Sequence, residues 1–209
     1  MAHSGWTRVP GATFAAVGLL AAACAPIYVP GGRLPAVSSL RLDPAGRPTA
    51  TVRLSDAAFL GPVEEATRGA GLFSTFAVEP DTAGTPSSDY TVTVRVYARP
   101  RQPTGGQVAY TLTAAMTLGV LPLTRQIDIL LTATIADRSG GMLKTYTFED
   151  SIREIQQVVI MFVPVGAILT PDRAAARVVE NMMRHVYRQV EADRLLDRAP
   201  PAGVPAEVS

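Results

Sequence analysis

The chain has 209 residues, with 19 basic and 18 acidic side chains, a formal net charge of +1 and 47% hydrophobic residues. That balance excludes the one-sided positive charge that a nucleic-acid partner or a polybasic membrane clamp requires. With one cysteine, Cys24, the chain has no internal disulfide framework, and a domain built from it must be held by its core.

The first 24 residues read as a secretory signal. Arg8 supplies the positive n-region, and residues 12–23 form an apolar, small-residue h-region. The run is too short, with Gly and Pro at its start, for the ~20 apolar residues of a transmembrane anchor. An ordinary cleaved signal would leave Cys24 as a lone thiol in an oxidising compartment. Cys24 directly follows Ala21-Ala22-Ala23, and this arrangement resembles the lipobox of bacterial lipoproteins. The family prefers Leu three positions before the cysteine; here that position is Ala21, with Leu20 one further back. The resemblance implies cleavage before Cys24 and acylation of its thiol and new amine. Removing residues 1–23 from the 209 leaves 186. Two or three acyl chains, at ~0.8 kcal/mol per buried methylene, make such an attachment permanent. Ala25, rather than Asp, follows the cysteine. In Gram-negative family members that implies delivery to the outer membrane, facing the periplasm; in a Gram-positive source the anchor would lie in the plasma membrane.

Residues 24–47 are rich in Pro and Gly and read as a flexible tether, with a short edge strand at 38–42. Thr49–Leu54 alternates apolar and polar residues, a strand signal. Gly61-Pro62 opens a helix over 63–68, stopped by Gly69 and Gly71. A second strand follows at 72–78, then a loop at 79–88. Asp89–Tyr97 is the clearest strand: Tyr90, Val92, Val94 and Val96 share one face, and Thr91, Thr93, Arg95 and Tyr97 the other. The turn 101–106 leads to a further strand over Val108–Met116. Strands at 127–136 and 142–155 flank a hairpin turn, Arg138-Ser139-Gly140-Gly141. The last element is a helix with Thr170 as its cap, Pro171 at its first position and an apolar stripe of Val178, Val179, Met182, Met183, Val186 and Val190. Residues 199–209, with three prolines among them, read as a disordered tail. The expected fold is α+β: a mainly antiparallel twisted sheet of four to six strands, with two helices on one face, over residues 48–198.

Two apolar segments, 114–123 and 158–169, break the alternation. The strands at 127–136 and 142–155 form a hairpin that begins at the first segment and ends at the second. Both tips therefore belong at one end of the sheet. Leu118, Val120, Leu121, Ile160, Met161, Phe162 and Val163 are the candidate partner or membrane contacts. Three roles stay open for them: core beneath the last helix, a protein-partner patch, or contact with lipid. A patch of this size, if exposed, needs something to cover it.

Chemistry leaves few candidates. The mature chain holds one histidine, His185, and no Gly-x-Ser-x-Gly. The residue inventory cannot furnish a zinc site, and no phosphate loop or dinucleotide fingerprint occurs. No catalytic residue, metal or cofactor is assigned, and the expectation is a protein that is not an enzyme.

Gly71-Leu72-Phe73-Ser74 after a helix, Asp89-Tyr90 opening a strand, and Thr117-Leu118-Gly119-Val120-Leu121-Pro122 together form a pattern. It is similar to that of small envelope lipoproteins with a compact α/β domain, which loosely resemble outer-membrane assembly lipoproteins. The resemblance covers about residues 49–196. It implies a non-enzymatic adaptor or assembly role with a protein partner in the envelope. The alternative is a carrier of an apolar ligand such as a lipid, with the tips at the mouth of a pocket.

Overall fold

Alternation of apolar and polar residues over Thr49–Leu54 and Tyr90–Pro100 lets one face of each segment bury its apolar side chains, and both form strands; on the other face of the first, Thr51 is buried as well and accepts from the Ser88 hydroxyl. The computed structural model describes residues 26–38, 46–81, 87–116, 123–156 and 170–197. Its elements in chain order are β1 (Ile27–Pro30), β2 (Thr49–Leu54), α1 (Leu60–Ala70), β3 (Thr75–Pro80), β4 (Tyr90–Pro100), α2 (Gly105–Met116), β5 (Leu123–Asp137), β6 (Met142–Gln156) and α3 (Pro171–Ala192). The signal segment, Cys24, most of the strand expected at 38–42 and the tail at 199–209 lie outside the described residues.

The six strands form one sheet in the order β1-β6-β5-β4-β2-β3. Pairings β1/β6, β6/β5 and β5/β4 are antiparallel, whereas β2 runs parallel to both β3 and β4. The fold is α+β as expected, but the sheet is mixed. The parallel half follows from β2-α1-β3, a strand–helix–strand unit whose helix carries the chain back to the starting edge.

Tyr90, Val92 and Val94 of β4 and Ile129, Leu131, Ala133 and Ile135 of β5 are buried on one face. Helices α1 and α3 cover that face. The expected stripe of α3, Val178 through Val190, is buried throughout, and each large apolar side chain removed from water contributes roughly 1.5–3 kcal/mol. Thr170 caps α3 by accepting from the Arg173 N–H, ahead of Pro171. Helix α1 ends at Gly71, whose φ of 62° is the left-handed conformation that suits glycine. Between the helices, the buried Thr67 hydroxyl donates to the Val63 carbonyl at 2.7 Å and accepts from the Tyr187 hydroxyl at 2.6 Å. Phe73 meets the Tyr187 ring edge-on at 6.2 Å. Burial raises the Tyr187 hydroxyl's pKa, so it remains a donor.

Two expectations fail. Val108–Met116 belongs to a helix, α2, not a strand. The local reason is a capping box at its start: Gln107 Oε1 accepts from the Thr104 N–H at 2.8 Å, and the Gln107 N–H points back to Thr104 Oγ1. Within the stretch read as a tether, Ile27–Pro30 is a strand paired with Ile152–Ile155 of β6. Pro30 is tolerated because β1 is an edge strand.

Candidate functional site

Four points of the chain meet at one end of the sheet. The pairings Ile27↔Ile155, Leu123↔Gln156 and Pro100↔Ile127 bring the start of β1, the start of β5, the end of β6 and the end of β4 together. Leu118, Val120, Leu121, Ile160, Met161, Phe162 and Val163 lie outside the described residues. Their flanks, Leu123 and Gln156, are paired across the hairpin.

Helix α2 stands at this end. Gln107 and Thr111 line a groove of about 510 Å³ between the helix and the sheet, and Ala114, on the same stripe, is buried. Arg101, Arg125, Glu154 and Gln156 complete its polar wall. Val108, Leu112 and Met116 fall on another stripe of the helix at spacings of four, and they are 46%, 63% and 85% exposed. Gln107 and Thr111 border the groove while staying exposed, Ala114 is buried, and the apolar stripe of Val108, Leu112 and Met116 faces out, where an ordinary surface helix presents polar residues. No charged residue occurs from Gln102 to Thr124.

The chain that follows β1 is fastened to the domain. After β1, the Gly31 N–H donates to the Ser151 carbonyl. The Arg33 guanidinium meets Asp128 at 3.0 Å and Glu149 at 2.5 Å, and its backbone N–H donates to Asp150 Oδ1 at 3.1 Å. Asp128 and Asp150 are both buried, so these bonds satisfy carboxylates that have left water. Arg101 adds a second cation 3.6 Å from Asp128. Further on, Val37 is buried, and its N–H donates to Asn181 Oδ1 at 3.0 Å on α3. His185 is used here too: its Nε2–H donates to the Pro35 carbonyl at 2.9 Å, and its ring lies 5.7 Å from that of Phe148. Among the described residues, no group of three or more His, Cys, Asp or Glu gathers as metal ligands would.

The face of the sheet away from α1 and α3 is open. Thr91, Thr93, Thr132, Thr134, Thr145 and Thr147 line it, with Thr134 and Thr145 hydrogen-bonded across strands at 3.2 Å. Tyr97 and Leu130, partners across β4 and β5, are 57% and 39% exposed on it. Sequence alternation pointed to this face; the outward apolar stripe of α2 was hidden by reading the segment as a strand.

At the opposite end, Lys144, the only lysine, donates to Asp193 Oδ2 at 2.7 Å, as does the Tyr146 hydroxyl. Both bonds, that from Lys144 foremost, hold the Asp193 carboxyl below its ordinary pKa. A depressed carboxyl stabilises the fold above its unfolded pKa of ~3.9 and loses that effect as pH falls through the folded value. Asp193→Asn is therefore expected to lower the urea midpoint at neutral pH, with the gap to wild type closing on acidification below about pH 4. A gap that persists unchanged in acid would show that packing, not charge, sets the effect.

No protein-family model matches this chain, and no curated protein sequence matches it. Among solved structures it is similar to a minor lipoprotein from Acinetobacter baumannii, with 14% identity, 77% of this chain and 96% of that chain covered, and a TM-score of 0.42. It is also similar to the PelC dodecamer from Paraburkholderia phytofirmans, with 12% identity, coverages of 76% and 98%, and a TM-score of 0.31. A third is rare lipoprotein B from Shewanella oneidensis, with 10% identity, coverages of 70% and 93%, and a TM-score of 0.31. Two of the three are named as lipoproteins.

Proposed function

We propose that the chain is a lipoprotein of the bacterial envelope, held in the outer membrane through acylated Cys24 and facing the periplasm. Its role is that of a non-enzymatic adaptor or assembly factor for an envelope complex. The observation that carries this reading is the placement of Cys24 three residues before a strand that is part of the sheet. Acylation at that position attaches the folded domain itself to the bilayer, rather than the end of a loose leader. The open threonine face, with Tyr97 and Leu130, is then the surface left to meet a protein partner. An exposed aromatic beside an aliphatic on an otherwise polar face is the composition of an interface anchor with a polar surround. A carrier of an apolar ligand is the second reading; the groove beside α2 favours it, with Pro100, Pro103 and Leu123 in its walls, but Arg101, Arg125 and Glu154 stand there too.

The test has two readouts. Cys24→Ser is expected to move the protein from the membrane to the soluble fraction and to abolish incorporation of labelled palmitate. Unchanged membrane partition would overturn the anchor. A photo-crosslinker at Tyr97 in the wild-type background is expected to give a discrete adduct with a second envelope protein. The absence of any protein adduct would overturn the adaptor role.

A further inference from the structure

We propose that the α2 end of the sheet rests directly on the bilayer, with α2 lying in the headgroup region as an interfacial helix. This inference builds on acylation at Cys24 and adds the orientation of the domain and a second membrane contact. The first argument is reach. Ile27 is three residue steps from Cys24, with Ala25 and Pro26 between them, and extended chain spans at most ~3.6 Å per step, so about 11 Å. Ile27 pairs with Ile155 at the α2 end and is buried, so the slack ends there. The headgroup layer itself is roughly 5–8 Å deep on each side, given the difference between a bilayer's full and hydrocarbon thickness. An anchor so short holds this end of the sheet at the membrane surface, wherever else the domain leans.

The second argument is independent of the anchor. Val108, Leu112 and Met116 form an exposed apolar stripe, on the side of α2 away from the groove-lining Gln107 and Thr111 and the buried Ala114. A helix of twelve residues is about 18 Å long, too short to cross the hydrocarbon core, and no described helix is long and apolar enough to do so. An apolar stripe of that length suits burial along the plane of the interface. The third argument is charge. The segment from Gln102 to Thr124 carries none, and exposed Arg99, Arg101, Arg125 and Arg153 surround the end. The acids near this end are Asp128, held by Arg33 and Arg101, Glu149 and Asp150, which also meet Arg33, and Glu154, which pairs with Arg125 in the β-ladder. Uncharged apolar residues framed by arginines complement acyl chains below a layer of lipid phosphates. A protein partner could cover the same stripe, but the length of the anchor brings lipid there first.

The experiment uses the acylated full-length protein, alone, in vesicles of phosphatidylethanolamine and phosphatidylglycerol. Since Cys24 is consumed by acylation, Leu112→Cys and Met116→Cys each introduce one labelable thiol, and Ser139→Cys in the hairpin turn serves as the distant control. Each carries an environment-sensitive dye. At 112 and 116, quenchers attached near the lipid headgroups are expected to act several-fold more strongly than at 139, and aqueous iodide several-fold less. Equal iodide access at 112 and 139 in protein that floats with the vesicles would overturn the proposal. So would protection from iodide without lipid quenching, since protein would then be covering α2. Protein that neither floats nor carries acyl mass would instead overturn the anchor, and with it the basis of this orientation. Both positions are largely exposed, so loss of folding is not expected; an unchanged circular dichroism spectrum checks this.

Discussion

Gly31→Ala is expected to unseat the N-terminal strand from the sheet. A Cβ at this position would stand 2.0 Å from Ser151 Oγ and 2.7 Å from the Ser151 carbonyl oxygen. The hydroxyl can rotate away, but the carbonyl is part of the β6 ladder and cannot. The strand must then retreat, and it takes with it the Gly31 N–H bond, the β1/β6 pairing and the approach of Arg33. Overpacking of this kind costs roughly 1–3 kcal/mol. Loss of Arg33 adds to that, because Asp128 and Asp150 are buried and would be left short of partners. Hydrogen exchange read by mass spectrometry checks the result. Residues 27–37 should lose protection, while β4, β5 and α3 keep theirs, since the core cluster draws on those elements. Unchanged exchange over 27–37 would mean that β6 can yield at Ser151.

Leu131→Ala is expected to destabilise the whole domain by about 2–5 kcal/mol. Leu131 is fully buried in the middle of β5, between Val96 of β4 and Phe148 of β6. Backbone pairing on both sides holds its Cα in place, so the site cannot collapse to fill the void. The spread in cost reflects how far Met182 and Met183, buried in the same core, can move toward the gap. For a domain of this size, each kcal/mol lowers the melting temperature by roughly 2–4 °C. Urea unfolding should show a lower midpoint with an unchanged slope. A changed slope would indicate a loosened native or denatured state rather than a simple cavity.

Strand β4 and helix α3 were legible because their burial periods are written in consecutive residues. Tyr90, Val92 and Val94 alternate inward, and the stripe of α3 recurs at helical spacing under a Thr170-Pro171 start. The hairpin at Arg138–Gly141 was legible from its glycines, and Asp137 closes it by accepting from the Ser139 and Gly141 N–H groups at 2.9 Å. Strand β1 was not. Its prolines dominate the local signal, and its partner Ile152–Ile155 lies more than a hundred residues away, where no local pattern can announce it. The mixed sheet could have been inferred from β2-α1-β3, since a helix between two short strands favours a parallel pair.

Helix α2 was missed for a different reason. Val108, Tyr110 and Leu112 alternate with small or polar residues as a strand would, and only the Thr104-Gly105-Gly106-Gln107 box marks a helix start. Of the candidate site, the lipobox-like pattern at Cys24 is read from the sequence alone, and Cys24 lies outside the described residues. The outward apolar stripe depends on knowing which secondary structure those residues adopt.

Strands β5 and β6 each run fifteen residues, from the α2 end to the turn at Gly140. At ~3.3 Å per residue that is about 50 Å of paired backbone. In the orientation proposed above, with this end on the bilayer, the hairpin would work as a ruler. It would fix the height above the membrane at which the far turn can touch anything, and inserting residues between Cys24 and β1 would leave that height to chance.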